Sequence, residues 1–128
     1  MEMLIVVAII AILVAISIPV FTAQLEKARE NTDIANMRAA KAEAVAMYLT
    51  EDPNFTVGAT YKYDAVNGKL VASTDTVAAY GKGTANPGGV EYGDYENNKD
   101  YTKSVITVSV SNAGEVTLAW NPAPTSGT

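Results

Sequence analysis

The chain contains neither cysteine nor histidine. Without cysteine, no disulfide staples the fold and no thiol can act as nucleophile or soft metal ligand. That absence does not fix the compartment. Without histidine, the commonest general base and metal ligand is missing. Ser73, Ser104, Ser109 and Ser111 therefore have no imidazole to activate them, and no motif supports a serine–lysine pair instead. Basic residues are scarce as well, nine against fourteen acidic for a net charge of −5, so no electrostatic footprint favours nucleic acid. These absences argue against an enzyme and imply no cofactor.

What is abundant is concentrated. Met3 to Ile16 is an uninterrupted apolar run, and it reaches Phe21 with only Ser17 and Pro19 breaking it. As a helix rising about 1.5 Å per residue, this stretch is nearly long enough to cross a bilayer. Glu2 stands at its head, and a carboxylate carried into hydrocarbon costs at least about 3 kcal/mol unless it is paired or protonated. No basic residue occurs before Lys27, so the partner of Glu2 is expected outside the chain. A cleavable secretory signal would begin with positive charge. A simple anchor leaves Glu2 and Pro19 without purpose. A buried core helix needs more apolar surface than the remaining residues of so short a chain provide.

From Thr22 to about Thr50 the pattern becomes charged and amphipathic. Leu25, Ala28, Ala35, Ala39, Ala42, Ala46 and Leu49 recur at helical spacing and predict the apolar face that packs on the rest of the chain. Pro53 forces its predecessor out of the helical region and is expected to end this element. Strands follow. Tyr61–Tyr63 and Lys69–Ala72 flank Asn67-Gly68, which suits a type I′ turn. Lys103–Val110 and Glu115–Trp120 flank Ser111–Gly114. Ile106, Val108 and Val110 alternate onto one face of the first, and Val116, Leu118 and Trp120 do so in the second, so that one face of the sheet can cover the helix. Residues 73–101 read as a glycine-rich loop. The fold class is therefore α+β: one long N-terminal helix whose C-terminal half packs on a small antiparallel sheet. Residues 1–24 form the apolar helix and 25–128 the head, divided into an amphipathic helix over 25–51, sheet and loops over 55–121 and an irregular tail over 122–128.

The segment EMLIVVAIIAILVAISIPVF resembles the N-terminal region of type IV pilins and the related pseudopilins, in which a glutamate near the start of the apolar segment is followed by a proline seventeen residues on. Glu2 and Pro19 have that spacing, and VFTAQLEKARENTDIANMRAAKAEA is similar to the family's amphipathic continuation. The likeness covers about the first fifty residues. It implies a structural subunit of an extracellular filament that sits in the inner (cytoplasmic) membrane before assembly and polymerises with copies of itself. The partners implied are the pilus assembly machinery and a prepilin peptidase. It also implies that Glu2 meets the N-terminal amine of a neighbour, while Leu4, Ile5, Val6, Ile9, Ile12, Leu13, Ile16 and Phe21 pack helix on helix. Family members carry residues between the cleavage point and the glutamate, whereas here only Met1 precedes Glu2. Pro19 removes a backbone donor and crowds the Ala15 carbonyl, so a kink or local loss of helix is expected. Within the family a pseudopilin of type II secretion or DNA uptake is the nearest rival, and a monomeric membrane-tethered binding head is the rival outside it.

Asp94, Glu96, Asn98 and Asp100 alternate in the loop as candidate oxygen ligands for a hard cation, without the glycine and terminal glutamate of an EF-hand. Tyr80, Tyr92, Tyr95 and Tyr101 are expected to pack this loop onto the head with their hydroxyls in water. Asn54-Phe55-Thr56 fits the short glycosylation pattern, which recurs by chance.

Overall fold

The computed structural model describes residues 1–126, and the last two positions lie outside the described residues. Eleven alanines and the absence of glycine favour helix from Glu2 to Leu49 in spite of twelve isoleucines and valines, and this whole stretch is one helix, α1, of 48 residues. At about 1.5 Å per residue it is ~72 Å long. It continues through Pro19, so the expected loss of helix does not occur. Pro19 still cannot donate to the Ala15 carbonyl. Beside that gap the Ser17 and Thr22 hydroxyls donate to the carbonyls of Leu13 and Ile18, at 2.8 and 3.0 Å.

The end of α1 corrects the role given to Pro53. Glu51 N–H donates to the Tyr48 carbonyl and Asp52 N–H to the Met47 carbonyl, at 3.3 and 3.1 Å, with Glu51 in the left-handed region at φ 52°. This is the paired 5→2 and 6→1 closure of a Schellman turn, and it stops the helix before the proline.

Six strands follow: β1 (Thr60–Asp64), β2 (Lys69–Ala72), β3 (Lys99–Asp100), β4 (Val105–Val110), β5 (Val116–Asn121) and β6 (Thr125–Ser126). The main sheet runs β2-β1-β4-β5, all antiparallel, so the two hairpins join through β1 and β4. The β1–β2 connection is not a two-residue turn. Asp64 pairs with Lys69, Gly68 N–H donates back to the Asp64 carbonyl, and the Asp64 carboxylate accepts from the Val66 and Asn67 amides. Gly68 alone takes positive φ there. Part of the expected tail is ordered as well: β6 pairs with β3, and the Ser104 hydroxyl donates to the Pro122 carbonyl at 2.6 Å.

The core lies between α1 and the sheet. Ile34, Met37, Ala40 and Ala44 of the helix meet Tyr63, Leu70, Ile106, Val108, Val110 and Trp120. Ala40 and Ala44 are wholly buried, and their size lets the helix axis approach the strands. Each large aliphatic side chain removed from water here contributes roughly 1.5–3 kcal/mol. The expected alternation on β4 is present, and on β5 Trp120 is buried while Val116 and Leu118 are half-buried.

Candidate assembly surface

The face of α1 that meets the sheet is not the alanine stripe expected from the periodicity. Leu25, Ala28, Ala35, Ala39, Ala42, Ala46 and Leu49 are all exposed, whereas Glu26, Glu30, Asp33, Ile34, Met37, Ala40 and Ala44 are buried. The physical reason is twofold. Alanines have little area to gain by burial, and the buried stripe combines the bulkier Ile34 and Met37 with three carboxylates that serve as hydrogen-bond acceptors.

Those carboxylates form a ladder beneath the 81–90 loop. Glu26 accepts from the Thr84 amide at 2.7 Å, and Glu30 accepts from the amides of Gly88 and Val90 at 2.9 and 3.2 Å. Asp33 accepts from the Lys82 and Gly83 amides and from the Tyr95 hydroxyl, each at 2.7 Å. A loop without regular structure must place its backbone donors somewhere, and here the helix supplies the acceptors. Burial pushes the carboxyls of Glu30 and Asp33 above their usual range, against the opposing pull of these donors. Burial and the neighbouring Asp33 push the Tyr95 hydroxyl up strongly. Small residues make the approach possible. A Cβ on Gly81 would overlap the Tyr101 carbonyl, and one on Gly88 would lie 2.7 Å from the Glu30 carboxylate and 2.9 Å from the Lys27 backbone nitrogen.

The tyrosines also differ from expectation. Tyr95 and Tyr101 stack with centroids 4.3 Å apart, and Trp120 meets Tyr101 edge-on at 5.1 Å. Their hydroxyls, with that of Tyr80, are bonded inside the head and not to water. Tyr80 donates to the Tyr63 carbonyl, Tyr95 to Asp33, and Tyr101 accepts from the Glu96 amide. Tyr92 is half-buried at the edge of the core, and the Arg38 guanidinium carbon lies 5.0 Å from its ring centre. The candidate cation ligands are not brought together. Glu96 pairs with Lys99 at 2.9 Å, Asp100 accepts from the Thr102 amide, and no group of three carboxylates able to hold an ion occurs among the described residues.

The residues assigned to assembly are all on bare helix. Leu4, Ile5, Val6, Ile9, Ile12, Leu13, Ile16 and Phe21 are each at least half exposed. Glu2 sits in the first turn and Pro19 seventeen residues on, both exposed. The helix contains a span long and apolar enough to cross a membrane, with none of that span buried against the head. Beyond it the exposed alanine stripe carries the uncharged surface on to Leu49. Arg38 and Lys41 border that stripe, where a shallow groove of about 530 Å³ opens along Ala42, Ala46 and Leu49. The clamp of Glu26, Glu30 and Asp33 is the feature the periodicity did not reveal. Its signal was present: three acids spaced four and three apart, in phase with Ile34 and Met37, and a distant loop rich in glycine.

No family model, curated protein or solved structure matches the chain.

Proposed function

We propose that the chain is the structural subunit of an extracellular type IV pilus, held in the cytoplasmic membrane through α1 and then polymerised by packing of α1 on α1. The observation that carries this is the continuity of the uncharged exposed face, from Met3 along the apolar span and past it to Leu49. A membrane anchor alone needs only about twenty apolar residues. It gives no use for an exposed alanine stripe continuing along a head that already buries the opposite side of the helix. Small residues let neighbouring helices approach closely, first in lipid and then in a filament. Glu2 then acts as a register device, because a misplaced neighbour leaves its charge buried and unpaired at a cost of several kcal/mol. Such contacts between unlike surfaces do not close on themselves and generate a helical polymer.

The experiment is electron microscopy of filaments sheared from cells that express the chain, with mass spectrometry of their subunit. Abundant filaments built of this chain are expected. Its presence in membranes but absence from filaments would favour a pseudopilin or a tethered head. A variant lacking residues 1–25 is expected to be soluble and monomeric, and filaments formed by it would overturn the assignment of assembly to the apolar helix.

A further inference from the structure

The surface charge of the head is polarised along α1, although the sequence mixes its signs. At the end next to the apolar span, Lys27, Lys82 and Lys103 are exposed. Lys82 is set there by the hydrogen bond its backbone N–H donates to the Asp33 carboxylate, and Lys103 by the one the Gly81 N–H donates to the Ser104 carbonyl. The acids of this part of the helix face inward under the loop. Of the remaining carboxylates toward this end, Asp64 is occupied by Asn67 and Asp100 by Thr102. At the other end the signs invert. Glu51 and Asp52 follow the last turn of a helix whose terminal carbonyls are themselves partially negative, and that turn holds no basic residue. Glu115 joins them, because the turn before it packs against Tyr48, whose hydroxyl donates to the Asn112 carbonyl. The ion pairs among the described residues are Arg29–Glu26 and Lys99–Glu96, so none of the three acids or three lysines is in an ion pair. The Asp52 carboxylate accepts from the Asn54 amide at 2.8 Å, which leaves Glu51 and Glu115 as the main acids of this end.

We infer that the heads of neighbouring copies stack end to end, with Lys27, Lys82 and Lys103 of one copy on Glu51, Asp52 and Glu115 of the next. The inference rests on the self-assembly proposed above and names the contact that sets the stacking of the heads. The occupant is a second copy because the chain carries both halves of the complementary pair, ~33 Å apart along the helix from Lys27 to Leu49. Acids gathered at the negative end of a helix are unfavourable alone and gain from a cation brought from outside.

The test is a charge exchange in the full chain. Lys27→Glu with Lys82→Glu is expected to lower filament yield at least tenfold, as is Glu51→Lys with Glu115→Lys. All four changes together restore complementarity and are expected to return the yield to within about twofold of the unaltered chain. Trp120 fluorescence checks that each head is folded. Wild-type yield from either pair alone, or no recovery in the fourfold exchange with a folded head, overturns the stacking and leaves the pilus reading standing. The cysteine-free chain gives a second, independent measurement in membranes. Lys27→Cys with Glu51→Cys is expected to produce a ladder of disulfide-linked copies on oxidation. Its absence overturns the stacking even where no filament forms, an outcome that by itself would count only against the pilus reading.

Discussion

The two halves of α1 invert the usual relation between sequence and burial. The most apolar residues of the chain, from Met3 to Phe21, are exposed, while Glu26, Glu30 and Asp33 are almost or wholly inaccessible. The same helix is thus a surface in one half and a scaffold in the other. In the first half, the exposed apolar span is long enough to cross a membrane. In the second, carboxylates are kept inside because a structureless loop needs acceptors for its amides more than it needs apolar contact.

The comparison breaks hardest at Asp33. Removing its carboxylate in Asp33→Ala strands the Lys82 and Gly83 amides and the Tyr95 hydroxyl, and an unsatisfied buried donor costs roughly 1–3 kcal/mol. The head should lose about 3 kcal/mol or more, read by denaturation of the full chain in detergent with Trp120 fluorescence. Ile9→Ala, in the bare half, should change the same transition by less than about 0.5 kcal/mol, as expected for a surface position. An equal effect of the two would mean that the halves are not energetically distinct.

Gly81→Ala tests the loop's side of the clamp. The added methyl meets the Tyr101 backbone carbonyl, which cannot swing away as a side chain can. Overpacking of this kind costs typically about 1–3 kcal/mol. The same denaturation experiment should show the loss, and amide exchange at Lys82 and Gly83 should quicken with it.

How much of this was legible depends on what each residue addresses. Strand alternation through Ile106, Val108 and Val110 was readable because it answers to one local face. The long helix and the α+β class were readable for the same reason. The orientation of α1 was not. Its alanine stripe and its buried stripe have equal period, and only the loop arriving from some fifty residues away decides which one faces inward. The hydroxyls of Tyr80, Tyr95 and Tyr101 were misplaced on the same account, since their partners come from β1, α1 and the loop itself. The Glu51 turn and the β3–β6 pair rest on backbone geometry that no composition signals.

Acidity offers a subtler test of the ladder. The folded-state carboxyls of Glu30 and Asp33 lie above their ordinary values of 4.5 and 3.8, so the folded head binds protons more readily than the unfolded chain. Their contribution is fully present below those ordinary values and is lost as pH rises through the raised ones. Asp64 and Asp100 are shifted down, so what they add is present above 3.8 and is lost at lower pH. The head should therefore be more stable near pH 4 than at neutrality and should weaken again in stronger acid. Glu30→Gln should flatten the upper limb, and a melting temperature that falls steadily from pH 7 to pH 4 would contradict the burial of the ladder.

A small gain in stability is expected where α1 ends. Glu51 occupies the left-handed position of the Schellman turn at φ 52°, a conformation that costs an L-residue with a Cβ roughly 1–2 kcal/mol and glycine almost nothing. Glu51→Gly should raise the stability of the head by up to about 1 kcal/mol, since glycine gives back part of the gain in unfolded-chain entropy. Nothing in the turn's own hydrogen bonds opposes the change, because the Glu51 and Asp52 amides that close it are backbone. A residue that strains its own turn is kept for another reason, and the acid at the far end of the head supplies one. If Glu51→Gly melts higher and yet yields fewer filaments, stability and stacking are separated at a single position. If it melts higher and assembles as before, the left-handed glutamate has no part in joining one copy to the next.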